Sequence, residues 1–374
     1  MAPAAAKLKA QDPTKDSPAY AGALAPFASK LNTASFDSLE YSRARYAQMP
    51  LRLRFNASTR KQAEAWQKKL RARLTELTGG FPQRTPLKPQ ILETRDFPTY
   101  TRQSIVFESR PGLGVFGYLL IPKQKTQPLP VVISVPGHGY GADDIVGIDS
   151  KGQDRTKKPP YAYDYAIQLV EHGMAAFAIE PLGFGCRRDP ASRKKGLSTS
   201  SCQPSAGAAL LFGETMVGWR VYDIMRTVDY LETCSEFDPA RIGLMGISGG
   251  GTCTVFGAAL EPRIRAAFVS GYLNSFRDSI LSLSHCIDNY VPGILNWCEQ
   301  YDVAGLIAPR ALFCESGAKD PIFPLEAFQH AVTQVKKVYD TFGAPDLFGS
   351  EIHPGAHVFH GKQGIPFLAR HLKA

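Results

Sequence analysis

From about residue 100 onward, short runs of apolar and β-branched residues alternate with longer stretches in which apolar side chains recur every three or four positions. This alternation constrains the fold more than any other feature of the chain, because it is the pattern of strands joined by crossover helices. The runs are SIVFES (104–109), GVFGYLLIP (114–122), PVVISVPG (130–137), MAAFAIEP (174–181), RIGLMGIS (241–248), IRAAFVSG (264–271), PRALFCESG (309–317) and LFGSEIHPG (347–355). Helical periodicity fills the intervals near 161–172, 213–233, 249–260, 324–342 and 361–372. Near-continuous apolar strands are buried on both faces. The expectation is therefore an α/β fold with an about eight-stranded, mostly parallel sheet flanked by helices, its first two strands paired as a hairpin.

Three regions are expected: a poorly ordered lead segment (1–34), an N-terminal helical extension packed on the core (35–100) and the catalytic α/β domain (101–374). The lead segment is rich in Ala, Pro, Ser and Lys and lacks the apolar core of a signal peptide. In the extension, TRKQAEAWQKKLRARLTELTGG starts at a hydroxyl cap and stops at glycines. The basic surplus belongs to the front of the chain, where residues 1–90 carry 16 Lys/Arg against 6 Asp/Glu. KKLRAR (68–73) is interleaved with apolar residues, which reads as a solvated helix face rather than a nucleic-acid contact. No apolar run reaches the length of a membrane span. The seven cysteines show no C-x-x-C spacing. Cys186 and Cys202 flank a polar loop and could pair in an oxidising compartment, free thiols being the other reading. Two connections, about 138–160 and 272–305, are longer than the sheet needs, and the second is a candidate lid or substrate wall.

Gly246-Ile247-Ser248-Gly249-Gly250 fits G-x-S-x-G between an apolar run and a helical one. That is the context of a strained turn that displays a nucleophilic serine. A serine needs a base, and the base an orienting carboxylate, here in the order Ser, acid, His. Asp320 follows the strand PRALFCESG and is the expected acid, with Glu315 inside that strand less well situated. Of His353, His357 and His360, His357 follows the last strand and its Pro-Gly turn and is the expected base. His360 is a candidate substrate contact. The spacing of the three histidines invites a metal, but Pro354-Gly355 breaks the helix face that such a site requires, so neither metal nor cofactor is expected.

Acyl transfer also needs donors for an oxyanion. The Gly249 amide should supply one, and the loop Val135-Pro136-Gly137-His138-Gly139-Tyr140-Gly141 the other, from His138 or, second, from Gly139. Tyr140 and Arg187 are candidate substrate contacts, with Arg188 beside them, while Asp223 and Arg226 read as helix-packing residues.

Taken together, SVPGHGYG, PLGFGCRR, RIGLMGISGGG, ESGAKDPIFP and GAHVFHG resemble the α/β-hydrolase superfamily, in particular bacterial acetyl xylan esterase-like and dienelactone hydrolase-like enzymes. The resemblance covers about residues 60–374. It implies a Ser248–His357–Asp320 triad, metal-free ester hydrolysis through an acyl-enzyme, a carbohydrate or other small-molecule ester as partner, and a periplasmic or secreted setting. The chain departs from the best-known acetyl xylan and cephalosporin C deacetylases, which carry glutamine directly after the nucleophile where this chain has Gly249. Two other readings stay open: a peptidase or amidase like the prolyl oligopeptidases, and a catalytically silent binding protein. Oligomeric state is not legible.

Overall fold

The computed structural model describes residues 22–123, 128–155 and 161–373; most of the expected lead segment, residues 1–21, lies outside the described residues. Among the described residues one sheet contains β1 (Gln90–Asp96), β2 (Tyr100–Arg110), β3 (Leu113–Pro122), β4 (Leu129–Val135), β5 (Ala175–Ile179), β6 (Phe237–Ile247), β7 (Ala266–Ser270), β8 (Ala311–Gly317) and β9 (Phe348–His353). Their spatial order is β1-β2-β3-β5-β4-β6-β7-β8-β9. β2 and β3 form the expected hairpin, with Val106 opposite Phe116, and β3 meets β5 antiparallel. Every pair from β5 onward is parallel. β1 was not expected. Its QILETRD sequence is exposed along its whole length, so no buried face imposes an apolar alternation, and its charges suit a sheet edge.

The helices are α1 (Ser38–Ala47), α2 (Arg60–Leu77), α3 (Tyr165–Glu171), α4 (Pro190–Lys194), α5 (Cys202–Leu211), α6 (Met216–Leu231), α7 (Gly249–Leu260), α8 (Gln300–Gly305), α9 (Leu325–Thr341) and α10 (Gly364–Lys373). Every residue of β4, β5, β7 and β8 is buried, because apolar layers cover both faces of the sheet. One layer includes residues of α2, α6, α7 and α9 and the other residues of α3 and α10. α7 is buried at all its positions, and its glycines stand where a neighbour comes close, as at Gly251 against Tyr272 and Gly257 against Ile224 and Leu244.

The N-terminal extension packs on the core through specific bonds. α2 buries Ala63, Trp66, Leu70 and Leu74, the three-to-four spacing of an apolar stripe. Tyr46 donates to Glu299 at 2.7 Å, and the Phe55 amide donates to Asp302 at 3.0 Å. The basic cluster of α2 divides. Arg71 donates to the carbonyls of Ala259 and Leu306 and Arg73 lies 4.1 Å over the Trp297 ring, while Lys68 and Lys69 are exposed. No helix among the described residues is long and apolar enough to cross a membrane.

The chain leaves β4 toward β5 on one side and places β6 on the other. This is a topological switch point, where the carboxyl ends of neighbouring strands open a crevice. Ser248 follows β6 and Gly137 follows β4, so the fold itself brings them together. The stretch 272–305 forms one wall beside them. Tyr272, Phe276, Asn289 and Cys298 in it are buried, and Thr252 of α7 donates to Asn289 at 2.6 Å.

Candidate active site

Ser248 has φ 57° and ψ −119°, a left-handed conformation that a residue with a side chain adopts only when its surroundings force it. The forcing is visible in the glycines. A Cβ at Gly250 would overlap the Val135 carbonyl oxygen, and one at Gly246 would lie 2.5 Å from the carbonyl oxygens of Val135 and Gly250. The close approach of β4 to the start of α7 thus requires glycine on both sides of the serine. The Ser248 amide donates to Ser270 at 3.0 Å, which fixes the turn on β7.

Asp320 sits on the turn after β8. One of its carboxylate oxygens accepts from the amides of Ile322 and Phe323 at 2.8 and 3.1 Å. The other meets His357 Nδ1 at 2.7 Å. Nδ1 therefore carries a proton and donates to that carboxylate. The ring lies against Phe323, at 5.6 Å between centroids and 24° between planes. Gly271 leaves it room, since a Cβ there would come within 3.0 Å of the imidazole. His357 Nε2 is buried without a hydrogen-bond partner.

The loop after β4 abuts Ser248: a Cβ at Gly137 would lie 3.1 Å from Ser248 Cβ. The Tyr140 amide donates to Asp144 at 2.7 Å, which leaves the preceding amides of His138 and Gly139 as the candidates. Beneath the loop, burial pushes the Glu180 carboxyl up to about 8. It accepts from the Ala142 amide at 3.2 Å, and a Cβ at Gly141 or Gly185 would collide with it.

Over residues 46–353 the sequence matches the model of the Abhydrolase family. The chain belongs to that family of α/β-hydrolases. YtaP of Bacillus subtilis, a provisionally assigned hydrolase, is 26% identical over 283 residues, covering 74% of this chain and 89% of its own length. Among solved structures, a provisionally assigned acetyl xylan esterase of Bacteroides fragilis is 22% identical with a TM-score of 0.73, over 85% of this chain and 82% of its own. A glucuronoyl esterase of Solibacter usitatus is 15% identical with a TM-score of 0.64, over 88% of this chain and the whole of its own. At these identities the two structures are similar to this one in fold.

Within this Abhydrolase-family fold, not every residue singled out from the sequence reaches the crevice. Arg187 is a correction: its guanidinium is buried against Asp223 at 2.7 Å and donates to the Glu180 carbonyl, so it holds the loop to α6 instead of facing substrate. Arg188 is engaged with the carbonyls of Gly185, Gly196 and Thr199. His360 stacks on His353 at 5.0 Å and lies 3.3 Å from Glu351, which makes it part of the β9 end. Glu315 accepts from Ser270, from the His360 amide and from the Gly361 amide and does not orient His357. Tyr140 stays half-buried on the oxyanion loop. Cys186 and Cys202 are unpaired, the first exposed and the second buried.

One residue was missed. The Tyr161 hydroxyl lies beside Ser248: a Cβ on Gly137 would come 2.3 Å from that hydroxyl and 3.1 Å from Ser248 Cβ; its ring lies 6.2 Å from that of His357. No motif marks a single tyrosine on a polar connection, and only the glycine at 137 hinted that something approaches there.

Proposed function

We propose that this hydrolase is a serine carboxylesterase that removes short acyl groups, acetyl foremost, from carbohydrate esters. The observation that carries the reading is the Asp320–His357 contact at 2.7 Å beside a serine held at φ 57°, with His357 Nε2 left without a partner. Ser248 Oγ bonds to the acyl carbon while its proton passes to Nε2. Asp320 orients the imidazole and stabilises the imidazolium that forms. The amides of Gly249 and His138, with Gly139 as the second choice for the latter, donate to the oxyanion, and the Tyr161 hydroxyl is close enough to join them. Collapse breaks the bond to the alcohol, which leaves with the proton from His357. Water then attacks the acyl-serine, its proton passes to His357, and the acid departs as Ser248 regains its hydrogen.

The likeness in fold to acetyl xylan and glucuronoyl esterases supports a carbohydrate ester as the substrate class, and the acetyl xylan esterase supports the short acyl group. The test is a panel of acetylated xylan, sugar acetates, methyl glucuronate, p-nitrophenyl esters of increasing length and aminoacyl p-nitroanilides. Acetyl esters should give the highest kcat/KM, and Ser248→Ala should lower it by at least about 10⁴-fold. Retained activity in that variant would overturn the mechanism, and faster turnover of the anilides would favour the amidase reading.

A further inference from the structure

The loop that carries His138 meets Ser248 at Gly137, and the His138 imidazole turns its Nε2 toward a separate group of side chains. Its Nε2 lies 3.6 Å from Cys202 Sγ and 3.6 Å from Asp288 Oδ2. Cys202 Sγ is 3.1 Å from the same carboxylate oxygen. Cys286 Sγ completes the group, all four ligand atoms lying within 4.8 Å of one another. Cys202 and Asp288 are each 1% exposed. We propose that His138, Cys202, Cys286 and Asp288 bind one divalent ion of the zinc class, and that this ion fastens the oxyanion loop to the walls of the active site.

The donor set is two thiols, one imidazole and one carboxylate, the mixture of sulfur, nitrogen and oxygen that suits a tetrahedral zinc-class ion. Bonds of about 2.0–2.3 Å at tetrahedral angles hold ligand atoms about 3.3–3.8 Å apart. Two of the separations fall in that range and the third is a few tenths of an ångström short of it. Loading requires both thiols to lose their protons. Two thiolates and a carboxylate against one divalent ion leave a single negative charge, and the buried Arg220 guanidinium, 2.5 Å from Asp288 Oδ2, balances it. Arg220 is itself fixed by the Leu182 carbonyl, and Asn289 donates to the other oxygen of Asp288 at 2.9 Å. A ligating carboxylate with outer partners of this kind is held in one orientation. A hydrogen-bond network accounts for Asp288, Arg220, Cys202 and His138 but gives no role to the second thiol, Cys286, in the same group.

The ligands come from three segments: the loop after β4, the start of α5, and the wall 272–305. An ion here joins all three without touching substrate, so His138 acts through its side chain as a positioning residue. The site also accounts for the glycine after the nucleophile. A Cβ at Gly249 would lie 3.1 Å from His138 Nδ1 and 3.3 Å from Phe184 Cζ, so an imidazole held by an ion leaves little room for a longer side chain there.

The test is independent of the esterase reading. Reduced, metal-free, full-length protein is titrated with Co²⁺. One equivalent should bind, with a thiolate-to-cobalt charge-transfer band and the intense visible bands of a tetrahedral ion; Zn²⁺ should displace it and raise Tm. Cys286→Ser and Asp288→Asn should weaken binding at least about tenfold, whereas Cys186→Ser, an exposed thiol outside the group, should bind as the wild type does. Circular dichroism confirms that each variant is folded. Absence of the thiolate band in the reduced wild type would overturn the proposal, as would a band of undiminished intensity and affinity in Cys286→Ser. Isolation of the protein with Cys202 and Cys286 joined in a disulfide and no bound ion would overturn it as well.

Discussion

Replacing Ser248 by glycine should make the protein more stable than replacing it by alanine, although neither variant should hydrolyse esters. At φ 57° and ψ −119° a residue with a Cβ carries about 1–3 kcal/mol of backbone strain. Alanine keeps that Cβ and the strain with it. Glycine relieves the strain but adds about 0.5–1 kcal/mol of chain entropy lost on folding, so the net advantage of Ser248→Gly over Ser248→Ala is about 0–2.5 kcal/mol. Both variants lose the hydroxyl beside Tyr161, so that contact cancels in the comparison. With about 2.1 cal/mol/K of unfolding entropy per residue over 374 residues, each kcal/mol moves Tm by about 1.3 °C. Calorimetry on the two variants should give Ser248→Gly a Tm higher by up to about 3 °C. A lower Tm for Ser248→Gly than for Ser248→Ala would refute the claim that the elbow stores strain.

Three further outcomes follow from the geometry. Asp320→Asn presents the wrong hydrogen-bonding group to His357 Nδ1, and kcat on an acetyl ester should fall about 10³–10⁴-fold with KM little changed. Tyr161→Phe removes the hydroxyl beside Ser248; steady-state kinetics should give a kcat lower by about 10–100-fold and a thermal melt close to wild type, somewhat less than the loss of a main oxyanion donor. The third concerns Glu180. Burial raises its folded-state value to about 8, so the folded protein holds a proton that the unfolded chain releases above about 4.3. The stability this contributes is full below that unfolded value and is lost as pH rises through about 8. Urea unfolding of Glu180→Gln at pH 5 and pH 8.5 should therefore show a flatter pH dependence than wild type, and a steeper one would contradict it.

The parts of the site legible in the sequence were those written into contiguous stretches. Ser248 lies between an apolar strand and a glycine cluster that only a crowded strand-to-helix turn requires, and Asp320 and His357 follow recognisable strand ends. Arg187 could not be read in the same way, because its partner Asp223 lies a helix away and an arginine beside a crevice has the same local sequence whether it faces ligand or core. β1 carried no alternation because neither of its faces is buried. Tyr161 and the group around His138 come together only through the crossing of separate segments, which no spacing in one of them encodes.

The central claim is that Ser248 is a nucleophile activated by His357 and Asp320. A fluorophosphonate probe tests it most directly, with intact-mass and peptide mass spectrometry to locate the adduct. The account predicts one label per chain on the peptide containing Ser248, none on Ser248→Ala, and slow labelling of Asp320→Asn. An unlabelled wild-type chain, or a label carried by a residue other than Ser248, would contradict it.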